Sequence, residues 1–426
     1  MTIQAGWTAL RHFGVALCSA MCLWLLTISA SGGARGAVLY VGATAAPGGN
    51  GSARAPFNSL AAVEAASNAG DTIIVLPAAL TVPPLDGGIA LKPYQKLIGA
   101  GPRVVNQALG SAPIITNSSG ANNSGDAVEL SLGNTVENLR IINSYRGGIY
   151  GLDVGSASLV GNDLTGTNVS CTAGFLIYFP LSFNIIGPNG WAAIMVDTDA
   201  GTTSLLIASN SVHDGTCNDG IDVRAFGTAS VTAQIDYNDV TRLAQGPRPL
   251  ISLLALGLQA RDSAQLTVDS AYNSETYIGS PGADGEGLFT NQTGGSIVWN
   301  IDHNTFAHGI GGASVNGGEF FIGQGTGVTL DVHISNSSFE DDQGDMLQSA
   351  NEAPGSTMNL TLENVTVKTT TLASGPPALE PPVPPTEPNN VAACYNMFPG
   401  AAQTVTTFTM INSTFSDCLK DRKSVV

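Results

Sequence analysis

Four carboxylates and a guanidinium fall close together near the middle of this 426-residue chain. Asp197 and Asp199 lie in Met195-Val196-Asp197-Thr198-Asp199, and Asp219, Asp222 and Arg224 in Asp219-Gly220-Ile221-Asp222-Val223-Arg224. Stacked carboxylates repel one another unless solvent, spacing or a cation separates them, and calcium accepts oxygen ligands from flexible carboxylates. Asp197, Asp199, Asp219 and Asp222 are therefore the candidate calcium ligands. Arg224 shares a strand with Asp222, which makes it the best-placed candidate base, with Asp222 and Asp219 as the other candidate catalytic groups. A solvated acidic flank with a surface ion pair is the commoner meaning of such a run. His213, His303, His308 and His333 show no metal-ligand spacing, and no phosphate loop, nucleophile elbow or zinc motif occurs.

The element that must hold these groups is a repeat. An alternating apolar strand is followed by asparagine and then by Val or Phe, as in Ile207 to Asn210 to Val212, Ile235 to Asn238 to Val240, Ile301 to Asn304 to Phe306, and Ile334 to Asn336 to Phe339. Successive copies lie about 30 residues apart, the signature of a solenoid whose units bury their apolar faces only by stacking. Asp219 to Val223 leading to Ala233-Gln234-Ile235 writes one coil as two short strands and an asparagine-marked corner. Asn143, Asn238, Asn304, Asn336 and Asn364 are expected at inward or corner positions, where a side-chain amide can bond to the next coil. The expected fold is all-β: a right-handed parallel β-helix forming a single domain over residues 37–420.

The start of that domain, Val38 to Val41, a Gly/Asn-rich loop, a helical stretch over 59–67 and the strand Thr72 to Leu76, resembles the entry into β-helix proteins of the pectate-lyase-like superfamily. The resemblance implies that the helix caps the first coil. Gly88 to Ile141 resembles the first coils of large bacterial surface β-helices. Cys217-Asn218-Asp219-Gly220-Ile221-Asp222 and His308-Gly309-Ile310 are similar to motifs of polygalacturonase-type glycoside hydrolases, although their separation and the absence of the partner motifs depart from that family. A lyase on this fold would abstract the proton beside a uronate carboxylate with Lys or Arg while calcium stabilises the enolate.

Residues 1–36 read as a secretory signal peptide, with an apolar run from Phe13 to Ile28 followed by small residues, and no second span follows. The seven prolines between Pro376 and Pro388 place an excursion loop at 373–390. Asp421 to Val426 look like translated sequencing adapter, so the native chain is expected to continue past Lys420. Cys171 with Cys217 and Cys394 with Cys418 form the simplest of three disulfide pairings, against the alternative of buried free thiols. A formal net charge of −17 argues against nucleic acid and anionic membranes as partners, and against polyanionic glycans unless a local basic cleft or bound calcium compensates.

Two functions follow. The chain is a secreted or cell-surface, adhesin-like bacterial protein presenting a rigid face to a glycan or partner without catalysis. Alternatively, it is a secreted polysaccharide lyase or glycoside hydrolase acting on a uronate-containing polymer.

Overall fold

The computed structural model describes residues 36–416 except 107–109, 179–185, 245, 247–249, 251, 280–283, 311–317, 324–326, 343–345, 352–353, 369–393 and 399–402. The signal segment, the Pro-rich excursion and the adapter-like end lie outside the described residues. Three long sheets make up most of the described residues from Ala37 onward. Sheet 1 has 12 strands from Val38–Val41 to Val405–Ile411, sheet 2 has 10 from Ile114–Ile115 to Thr414–Ser416, and sheet 3 has 12 from Ile89–Ala90 to Asn396–Phe398. One coil is Ser230–Asp236 in sheet 1, Asp239–Leu243 in sheet 2 and Ser252–Ala260 in sheet 3, after which Gln265–Ala271 pairs in parallel with Ser230–Asp236. This is the parallel β-helix expected from the repeat, and the right hand is the one that parallel crossovers between L-residue strands favour.

The coils from Lys96 to Phe398 hold three strands, not the two written from sequence. The Val or Phe after each asparagine is the inward residue of a short sheet 2 strand, and these residues stack as Val212, Val240, Glu275, Phe306, Phe339, Val367 and Phe415. Sheet 1 strands are longer and alternate cleanly, Leu330, Val332 and Ile334 pointing into the core. At the N-terminal end, Ser59 caps the helix Leu60–Ala66 by accepting a hydrogen bond from Ala62 N–H at 3.3 Å. Leu60 and Val63 are buried in the same core as Val41 and Ile73.

The asparagine ladder is real but shifted. Asn162, Asn210, Asn238, Asn273 and Asn304 form it, each side-chain oxygen accepting the backbone N–H of the preceding rung at 2.9–3.0 Å from Asn162 onward, and Ser337 takes the next rung. Asn336 and Asn364 precede the rung and sit exposed in the left-handed region at φ 49° and 55°. Asn143 is likewise exposed with φ 48°, at the other end of sheet 2. Those three stand at exposed corners rather than inward in the ladder, and the amides of Asn336 and Asn364 still bond across coils, to Asp302 and Asn336. Asparagine suits either place, since it tolerates positive φ as well as bonding through its amide.

Glu275 interrupts the core column between Val240 and Phe306, and neither carboxyl oxygen has a hydrogen-bond partner among the described residues. Burial, with Asp239 adding to it, pushes this carboxyl well above its ordinary value of 4.5. The unfolded chain therefore loses the proton at a lower pH than the folded chain, and stability falls as pH rises from that ordinary value to the raised one. Glu275→Val, matching Val240, is expected to remove this slope and to add about 1–3 kcal/mol near neutral pH. Denaturant midpoints across a pH series check it, and an unchanged slope would count against the assignment.

Candidate functional site

The groups singled out in the sequence meet on sheet 3. Parallel pairing sets Leu152, Asp197, Arg224 and Gln259 side by side in one row, and Tyr150, Met195, Asp222 and Gly257 in another. Ile221 and Val223 point into the core, so Asp222 and Arg224 take the outer face. That face is covered in part by an antiparallel ribbon, Ala173–Tyr178 with Ile186–Gly190, whose Asn189 pairs with Ser252 and whose Phe175 ring lies 6.3 Å from Phe289, next to Gly257 in the second row. The Cys171–Cys217 disulfide, at a Cα separation of 5.0 Å, ties the root of this ribbon to the turn before Asp219. Cys394 is also disulfide-bonded, while Cys418 lies outside the described residues.

Arg224 is locked. Its Nε and Nη2 donate to the two oxygens of Asp197 at 2.6 and 2.5 Å, both residues being buried. Burial opposes the guanidinium charge, but the Asp197 pairing outweighs it and the pKa is pushed up. Tyr150 donates to Asp197 Oδ2 at 3.3 Å, and burial together with the Asp197 charge pushes its phenol up as well. Arg146 repeats the fork on Asp126 at 3.0 and 2.5 Å, Asp126 also accepting Gly147 N–H at 2.6 Å.

Between these two ion pairs stands Trp191, half-buried, its Nε1 without a hydrogen-bond partner among the described residues. The Arg146 guanidinium lies 4.1 Å from the Trp191 ring centroid and the Arg224 guanidinium 5.7 Å, with the Tyr150 ring tilted at 5.4 Å. Arg224 is also 5.6 Å from the Phe226 ring, and Arg261 is 5.3 Å from that ring on its own account. Arg146, Trp191, Arg224, Phe226 and Arg261 thus form a row of alternating guanidinium and aromatic groups along the outer face.

The four carboxylates expected to bind calcium do not converge. Asp197 is taken by Arg224, and Asp199 is exposed, its N–H donating to Asp153 Oδ1 at 2.8 Å. Burial, then Asp153 and Asp197, push the Asp199 carboxyl up. Asp219 is fully buried and hydrogen-bonded by Gly190 N–H, Leu254 N–H and the Asn189 amide. Asp222 is fully buried beside it with neither oxygen partnered, in space kept open by Gly257, where an added Cβ would collide with Asp222 Oδ1. Burial pushes both carboxyls well above the usual range, Asp222 adding to the effect on Asp219 and Asp197 to that on Asp222. Among the described residues no group of three or more His, Cys, Asp or Glu is arranged to hold a metal ion.

Asp197, Asp219, Asp222 and Arg224 were thus legible in the sequence, whereas Trp191, Tyr150, Asp126, Phe226 and the part played by Arg146 were not. Only the stacking of coils reveals the row, because Asp126 and Arg261 are 135 positions apart. Among the described residues no helix is long and apolar enough to cross a membrane.

No protein family model matches the chain, and no curated protein matches it. Among solved structures it is similar to a rhamnogalacturonan lyase, at 13% identity over 91% of this chain and 90% of that one, with a TM-score of 0.42. It is also similar to a mutant DFA-IIIase from Arthrobacter chlorophenolicus A6 in complex with DFA-III, at 13% identity over 88% and 99% of the two chains, with a TM-score of 0.38.

Proposed function

We propose that this chain is an exported protein that holds a polysaccharide against the outer face of sheet 3 without cleaving it. The carrying observation is the half-buried Trp191, flanked by Tyr150 and by guanidinium groups that ion pairs keep in place. An aromatic ring offers a sugar an apolar face at little entropic cost, and rigid neighbours reduce what binding must spend on ordering. The pairing of Arg224 speaks against cleavage with that residue as the base. Arg224, the expected base, is a guanidinium fixed on Asp197 and cannot take up a proton.

Cleavage is the second reading, and one observation favours it. Asp219 receives three N–H donors while the neighbouring Asp222 receives none, so the pair is arranged to part into an anion and a neutral acid, as glycoside hydrolysis requires. Both carboxyls are fully buried, which is why binding is the preferred reading.

Affinity electrophoresis in gels carrying neutral or acidic polysaccharides tests the proposal. Trp191→Ala is expected to weaken retardation roughly 30-fold or more, as loss of an aromatic anchor does, while the protein stays folded by circular dichroism at the assay temperature. Absence of retardation of the parent protein by any polymer would reject binding. Release of reducing ends or unsaturated products, lost in Asp222→Asn, would establish the second reading instead.

A further inference from the structure

Three members of the row are cations, and only two of them are neutralised. Arg146 is paired with Asp126 and Arg224 with Asp197. Arg140 and Arg242, the other arginines described beyond residue 139, also have carboxylate partners, in Asp163 and Asp214. Arg261 has none: its guanidinium lies over Phe226, and its buried Nε donates to no group among the described residues. The adjacent carboxylate is not turned toward it, since Asp262 Oδ2 accepts Gly227 N–H at 3.0 Å. An unpaired guanidinium with a buried, unused donor is uncommon in a chain carrying 33 acidic and 16 basic residues.

We propose that Arg261, held by Phe226, reads a single carboxylate on the bound glycan. The inference rests on the polysaccharide-binding reading above and deepens it by naming the ligand class: a polymer with an isolated acidic sugar among uncharged ones. The planar fork of Arg261 matches a carboxylate, and the Phe226 face orients the fork. Further acid is excluded around it. Arg146 and Arg224 are already spent on their partners, and the register that pairs Thr198 with Ala225 and Ala225 with Ala260 brings the exposed Asp199, with Asp153 beside it, next to Phe226 at the Arg261 end of the row. A uronate on every sugar would set carboxylates against those aspartates.

The test uses oligosaccharides of equal length that are uncharged, carry one uronate at each position in turn, or are uronate throughout, titrated calorimetrically. The best single-uronate ligand is expected to bind about tenfold tighter than the uncharged one, the worth of a charge-assisted hydrogen bond, and the all-uronate ligand weakest. Arg261→Gln should bring the single-uronate ligand down to the uncharged one and leave the latter unchanged. Arg261→Lys, which keeps the charge without the fork, should retain part of the difference and serves if the glutamine variant fails to fold. Equal affinity of the parent protein for uncharged and single-uronate ligands, tightest binding of the all-uronate ligand, or equal weakening of both ligands by Arg261→Gln overturns the inference while leaving polysaccharide binding standing. Binding of no oligosaccharide at all removes the polysaccharide reading and this inference with it.

Discussion

Asp197→Ala is expected to lower folding stability by about 3–5 kcal/mol, because it leaves the buried Arg224 charge with no counter-charge. The side chains of Arg224 and Asp197 are only 10% and 8% exposed, so water screens the loss poorly. Asp197→Asn should lose less, as an amide oxygen still accepts one guanidinium N–H. Replacing both partners, Asp197→Leu with Arg224→Met, should recover most of the stability, because the cost lies in the unpaired charge rather than in the missing pair. Denaturant midpoints of the three variants decide it. A loss under about 0.5 kcal/mol for Asp197→Ala, the scale of an ordinary surface substitution, would mean that Arg224 is hydrated or finds another partner.

How much of this could be read from the sequence depends on what each residue has to satisfy. Sheet 1 was legible because its seven-residue strands, such as Thr329–Ser335, alternate long enough for period two to show. Sheet 2 was not, because a strand such as Thr305–Ala307 has one inward residue and so nothing to repeat. Its Phe306 was seen only as a marker after the asparagine. The acidic cluster was legible as composition but not as chemistry. Nothing in the order Asp197, Asp199, Asp219, Asp222 tells that the first is claimed by an arginine, the second faces solvent and the last two are buried. Trp191 gave no signal at all, since its significance comes from Arg146 and Arg224 on neighbouring coils.

The contrast between Asn238 and Asn336 tests the corrected ladder most sharply. Asn238 Oδ1 accepts both the backbone N–H and the side-chain amide of Asn210 at 3.0 Å, and Asn238 Nδ2 donates to the Ile207 carbonyl at 2.9 Å. Alanine at this position strands those groups in a site with almost no solvent access, Asn238 being 1% exposed and Asn210 fully buried. Each stranded buried group costs about 1–3 kcal/mol, so the whole loss is expected near 3–5 kcal/mol. Because coils contact only their neighbours, the damage should appear as weakened hydrogen-exchange protection in the coils around residues 207 to 273 before it appears elsewhere. Asn336 carries the same residue type in a different role. Its amide donates to Asp302 Oδ1 at 2.7 Å on an exposed corner, and its backbone sits at φ 49°. Asn336→Gly keeps that conformation without strain and is expected to stay within about 0.5 kcal/mol of the parent protein. If Asn238→Ala were as mild as Asn336→Gly, the ladder would be ornamental and the stacking of apolar columns alone would set the register of the coils.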